Sequence, residues 1–196
     1  MTPHQASLRD LEAADRVRLA ARPEEAPLGA LAPAVVGVLA SLGDGDWWCP
    51  GPRERVGAVL RGASVAAVMD PLAGVPSCKV APCTASTRPL LAVGLALASP
   101  GAQVVVHLGM AHLGDGTLHE ALNVATLQSA KVRFVIAMRS LEGAPVPAQG
   151  AASPMDLAAA HGVQARELDG ADADAVYEAM RDWSAWPAPA LLVVRI

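Results

Sequence analysis

Charged side chains are scarce in this chain. Asp, Glu, Lys and Arg make up only 17% of its 196 residues, against 53% hydrophobic ones. So uncharged a surface is a mark of subunit contacts, although alanine-rich composition also follows from genome composition. The net charge of −4 supplies no basic excess, which excludes a nucleic-acid groove or an anionic membrane surface as the main partner. Long apolar runs are also missing: none approaches the ~20 residues of a membrane span. The opening residues, MTPHQASLRDLEAADR, are charged rather than apolar, so no secretory signal is visible. Cysteine is confined to Cys49, Cys78 and Cys83, an odd set without a disulfide framework, as expected in a reducing cytosol. These absences leave a soluble cytoplasmic protein with no repeats and no low-complexity tails.

The most informative stretch is residues 103–138, QVVVHLGMAHLGDGTLHEALNVATLQSAKVRFVIAM. An apolar run ends at Gly109, a glycine-rich turn follows, then a helical pattern, then a second apolar run at 132–138. That is strand, loop, helix, strand, the unit of a parallel sheet with a crossover helix. Ligands of such sheets sit at the carboxyl ends of the strands, so the loop 109–117 is the place to look for a site.

Around this unit, helix and strand patterns alternate to the end of the chain. Ser7 with Asp10 reads as a cap for a helix that carries Leu8, Leu11 and Val17 and stops at Pro23. This arm, residues 1–27, lies outside the sheet pattern, and either crosses a neighbouring subunit or folds back on its own domain. The α/β domain, residues 28–196, opens with a helix at 28–42 that ends at Gly43-Asp44-Gly45. Trp47-Trp48-Cys49-Pro50 reads as a short buried segment, with the paired tryptophans as core or interface anchors. Two short helices follow, 53–61 and 64–72, split by Gly62, and a loop runs from 73 to 87. The segment 88–98 is a small-residue helix in which Gly94 allows close packing. Beyond the central unit come a loop at 141–152, a helix capped by Ser153 and ended at His161-Gly162, an edge strand at 164–168, a helix at 171–183 and a strand at 191–196. The pattern predicts a three-layer α/β sandwich with a mostly parallel central sheet.

Taken in order, WWCPGPRERVGAVLRGASVAAVMDPLAG, STRPLLAVGLALA, the strand ending in Gly109, HEALNVATL, KVRFVIAM and the closing HGVQARELDGADADAVYEAMRDW and PALLVVRI resemble the alpha subunit of thiamine-diphosphate-dependent 2-oxo acid dehydrogenases, the pyruvate and branched-chain first component. The resemblance covers residues 28–196 and implies a thiamine-diphosphate-binding fold, here in a shortened version. It also implies where a cofactor would sit. The family holds magnesium, and through it the diphosphate, with a Gly-Asp-Gly at one strand end and an asparagine at the next. Aligned on HEALN, those positions fall on Gly109-Met110-Ala111 and on Met138 or Arg139. A thioether sulfur does not replace a carboxylate for a hard dication.

Gly114-Asp115-Gly116 spells the motif but lies beyond the strand, and the chain's only asparagine, Asn123, is inside the helix. Asp115 is better explained as a turn or first-turn residue favoured by the helix dipole. The family's Tyr-Arg pair near the diphosphate becomes Pro52-Arg53, and the histidine loop that contacts substrate is shortened to 75–87 without a histidine. In the family, the carboxylate that activates the thiazolium comes from a separate beta subunit.

Other constellations are weaker. His107, His112, His119 and Glu120 match no standard zinc spacing, and Cys78 and Cys83 are spaced wider than a redox pair. No serine sits in a strand-to-helix elbow. Arg53, Gly109, His112 and Asp115 remain as vestigial cofactor-binding candidates, with no catalytic residue and no metal ligand among them. The expectation is a non-catalytic relative of the alpha subunit, without a cofactor, serving as a structural or regulatory assembly component. Its partner is a second copy or a beta-subunit-like protein. Two alternatives stay open: a divergent subunit that binds thiamine diphosphate with magnesium, and a module for another phosphorylated metabolite held by Arg53, His112 and the N-terminus of the Thr117 helix.

Overall fold

Five short segments, four of them mainly apolar, pair side by side, all running in the same direction. The computed structural model describes residues 3–70, 74–139 and 153–196. Its strands are β1 (Trp47–Cys49), β2 (Val104–Gly109), β3 (Val132–Met138), β4 (Gln164–Asp169) and β5 (Ala190–Arg195). They form one sheet in the order β1-β2-β3-β5-β4, parallel throughout. Such a sheet is covered on both faces, which is why β2, β3 and β5 read as nearly unbroken apolar runs rather than alternating ones.

The helices are α1 (Pro3–Ala21), α2 (Ala32–Ala40), α3 (Val65–Val68), α4 (Arg88–Ala98), α5 (Gly116–Leu127), α6 (Pro154–Ala160) and α7 (Ala173–Asp182). Val105, Val135, Leu192 and Val194 join one core with Leu11 of α1, Val35 of α2 and Val176 and Met180 of α7. The alternate strand residues, among them Val106, Phe134, Ile136 and Val193, join a second core with Ala92 of α4, Leu122 of α5 and Leu157 of α6. The result is the expected three layers, with a sheet that is wholly rather than mostly parallel. On the first face α2 and α7 approach closely at Gly37, where an added Cβ would lie 2.5 Å from the Ala173 carbonyl oxygen and 2.8 Å from the Val176 Cβ.

Several elements depart from the expectation in detail. Ser7 is not a cap: α1 begins at Pro3, a residue suited to a first helical turn, and Ser7 lies inside it. Leu11 is fully buried and Leu8 packs against the core, but Val17 is 56% exposed, so the apolar face is narrower than the sequence suggested. Of the two placements considered for the arm, the structure has it folded back against α2 and residues 54–61. The helix expected at 28–42 is a short 3₁₀ turn, Gly29–Leu31, leading into α2. That at 53–61 is 3₁₀ throughout, Glu54–Arg61, closed by Gly62 at φ +89°. The next is only the four residues of α3, capped by Ser64.

The loop after α3 is not featureless. Pro76–Cys78 forms a 3₁₀ turn, and Val80 bridges both Val75 and Trp48, which covers the outer edge of β1. Ser153 accepts the Asp156 amide and Gly162 adopts φ +68°, so the start and end of α6 are as expected. β4 is an edge strand, as expected. The loop at 141–152 lies outside the described residues. Among the described residues no helix is long and apolar enough to cross a membrane.

Candidate functional site

At the carboxyl end of the sheet, β2 and β3 finish in register, with Gly109 opposite Ala137, and the Ile196 amide just past β5 donates to the Met138 carbonyl at 2.9 Å. These strand ends floor a cleft of about 380 Å³ lined by Ala26, Arg53, Glu54, Gly109, Met110, Ala137, Arg139 and Ile196. Its walls come from distant parts of the sequence. Arg53 and Glu54 open the 3₁₀ segment after β1. Ala26 belongs to the α1–α2 connection and is held in place by Arg18, whose Nη2 donates to its carbonyl at 2.9 Å.

Three charged groups meet in this cleft. Glu54 is buried, at 7% exposure, while Arg53 is half-buried and Arg139 exposed. None of the three makes a hydrogen bond or ion pair to another described residue. Behind them an added Cβ on Gly51 would lie 2.3 Å from Glu54 Oε2 and 3.2 Å from Arg88 Nη1, so the carboxylate and the buried Arg88 flank a glycine that has no room for a side chain. Arg88 itself donates to the His107 carbonyl at 3.1 Å. The His107 ring lies in the sheet interior, edge-on to Trp48 with ring centroids 5.7 Å apart. Burial pulls its pKa down to about 4; nearby Glu54 works against that shift and Arg88 with it.

The four sequence candidates separate. Arg53 and Gly109 meet in the cleft; His112 and Asp115 do not line it. Residues Met110–Gly114 form a 3₁₀ turn rather than an open loop. His112 Nδ1 lies 3.2 Å from both the amide nitrogen and the carbonyl oxygen of Gly109, and its Nε2 is 3.2 Å from the Ala85 carbonyl. A ring that accepts the Gly109 N–H at Nδ1 carries its proton on Nε2 and donates it to Ala85. It therefore ties the end of β2 to the loop before α4. Asp115 is the N-cap of α5, accepting the Thr117 amide at 3.0 Å, and that hydrogen bond holds its pKa below the ordinary carboxylate value. Asp115 thus caps the helix from the position before its first turn, rather than standing within that turn. Glu54 and Arg139 carried no sequence signal as site residues, Arg139 having entered only as an alignment position.

The donor set decides what the cleft suits. Magnesium takes about six oxygen ligands in an octahedron. The positions that the resemblance assigns to its ligands are Met110 and Met138 or Arg139, and the Glu54 carboxylate shares the cleft with the guanidinium groups of Arg53 and Arg139. These residues do not fit magnesium-bound thiamine diphosphate. Among the described residues no three His, Cys, Asp or Glu side chains come together as a metal site, and His107, His112 and His119 are held apart by the strand, the turn and α5. No family model and no curated protein matches this chain.

Proposed function

We propose that the protein is a non-catalytic relative of the 2-oxo acid dehydrogenase alpha subunit that acts as a structural or regulatory assembly component. It pairs with a second copy of itself or with a beta-subunit-like protein. The observation that carries this reading is the outer face of α4. Leu90 and Leu97 are 38% and 45% exposed, two turns apart on one stripe. Between them Gly94 would leave an added Cβ in open space. Leu90, Leu91, Gly94 and Leu95 line an open, mostly apolar groove of about 740 Å³. Leucines left in water forgo about 25 cal/mol for each Å² a partner would cover, and a small residue between them lets another backbone approach. The donor set of the cleft supports the non-catalytic half of the reading. The free thiols Cys49, Cys78 and Cys83 support placing it in a reducing cytoplasm.

Size-exclusion chromatography with light scattering on the full chain tests the proposal. The expected result is a dimer or a hetero-complex, converted to monomer by Leu90→Glu combined with Leu97→Glu. A strict monomer, alone and with a beta-subunit-like protein, overturns it. So does magnesium-dependent binding of thiamine diphosphate in calorimetry.

A further inference from the structure

The three free thiols are divided between the two faces of the sheet. Cys78 is buried in the core shared with α1, α2 and α7, and its sulfur donates to the Arg61 carbonyl at 3.1 Å. Cys49 and Cys83 both belong to the opposite core, the one that α4 covers. A pairing of the loop with β1 brings them together. Trp48 donates its amide to the Lys79 carbonyl at 3.0 Å and accepts the Ala81 amide at 2.9 Å, a parallel bridge that lays the loop along β1. Successive residues of an extended segment face opposite ways, so Cys49 and Ala81 share a face, and Cys83, two residues on, returns to it. The Cys83 sulfur lies 3.7 Å from the carbonyl oxygen of Pro50, the residue after Cys49. It is near enough for its charge to bear on Cys49: burial pushes the Cys49 pKa up, Cys83 adds to the rise and Arg88 opposes it. Cys49 is wholly buried and inert alone, whereas Cys83 is half-buried and open to a small oxidant.

We propose that Cys49 and Cys83 form a thiol–disulfide pair that oxidised glutathione closes, and that closure resets the start of α4. The Cys83 thiolate attacks one sulfur of glutathione disulfide; that S–S bond breaks and one glutathione leaves, taking up a proton. Cys49 then gives up its proton and attacks the Cys83 sulfur of the mixed disulfide, expelling the second glutathione. Two protein thiols are oxidised and one glutathione disulfide is reduced to two thiols. Burial keeps Cys49 protonated, so the second step is the slow one and the adduct on Cys83 precedes the internal bond. A disulfide holds its sulfurs about 2.05 Å apart, closer than two thiols in van der Waals contact, so the loop must draw in on β1. α4 begins at Arg88, whose amide donates to the Thr84 carbonyl at 3.1 Å, and the pull on Cys83 therefore reaches the first turn of the helix. That the leucine face of α4 then changes its pairing rests on the assembly role proposed above; the bond itself does not.

The test is incubation of the full chain with glutathione disulfide, followed by peptide mapping by mass. The expected order is a glutathione adduct on Cys83, then a cross-linked Cys49–Cys83 peptide with Cys78 left free, and reversal by reduced glutathione. Cys83→Ser, a change at a half-buried position, slows the loss of thiol about tenfold or more, since the two remaining thiols are buried. Cys49→Ala keeps the adduct on Cys83 and loses the internal bond, and mapping of the unaltered chain reads that bond without any substitution. The amide shifts of Arg88, Leu90 and Leu91 change on closure and return on reduction. No Cys49–Cys83 peptide, a bond to Cys78 instead, or closure with those amides unmoved would each overturn the proposal. A chain that closes the bond and moves the amides, yet is monomeric in light scattering before and after, supports the pair and overturns only the assembly role.

Discussion

Asp15 and Arg18 face each other across one turn of α1, the Nη2 of Arg18 donating to Asp15 Oδ1 at 2.6 Å with both side chains buried. The other carboxylate oxygen accepts the Leu28 amide at 2.8 Å, and the same guanidinium reaches Glu25 and the Ala26 carbonyl. This pair fastens the arm to the start of the α/β domain. Removing one member of a buried pair strands the other, at a cost of about 3–5 kcal/mol. Asp15→Ala is therefore expected to lower stability by about 3 kcal/mol in urea unfolding, well beyond an exposed change on the same helix such as Glu12→Ala. Equal losses for the two variants would show that the pair does not tether the arm.

His107 makes stability depend on acid. Its ordinary value is 6.5 and burial lowers it to about 4 in the fold. Between those values the unfolded chain takes up a proton that the folded chain refuses, so stability falls as pH drops from about 6.5 towards 4. At pH 4.5 the loss from this residue alone is about 2–3 kcal/mol, from about 1.4 kcal/mol for each pH unit. His107→Leu is expected to remove that part of the decline and also the buried Nε2, which has no partner among the described residues. Urea unfolding of both proteins at pH 7 and pH 4.5 measures the difference. Parallel pH profiles would mean that His107 is not held neutral.

The sheet was legible in the sequence because β2, β3 and β5 are buried on both faces and so are spelled as apolar runs. α4 and α6 were legible because proline, serine and glycine mark their ends. What was hidden depends on partners far along the chain. Arg133 interrupts the apolar run of β3, yet it is wholly buried, and its guanidinium serves the carbonyls of Trp183, Trp186 and Ala188 beyond the end of α7. Burial draws its pKa down to about 10. Glu54 looks like an ordinary charge at the start of a helix until the strand ends close over it. Arg139 enters the cleft only because β3 stops beside β2. The Gly109–Thr117 region was found, but its histidine and aspartate serve the turn and α5 rather than a ligand, and local spacing does not distinguish those uses.

Asp115 separates a helix cap from a metal ligand. As the N-cap of α5 it accepts the Thr117 amide, and its pKa is lowered chiefly by that bond. A carboxylate with a lowered pKa adds stability above the unfolded value near 3.8, and that contribution disappears as pH falls through the lower folded value. Asp115→Ala should cost about 1 kcal/mol at pH 7, while Asp115→Asn, which keeps a side-chain oxygen at the cap, should cost only a few tenths. As pH falls below that lowered folded value the alanine variant and the parent should converge, since the parent's carboxylate is then protonated. Unfolding curves of the alanine variant that superimpose on the parent's at pH 7 would show that Asp115 does not cap α5.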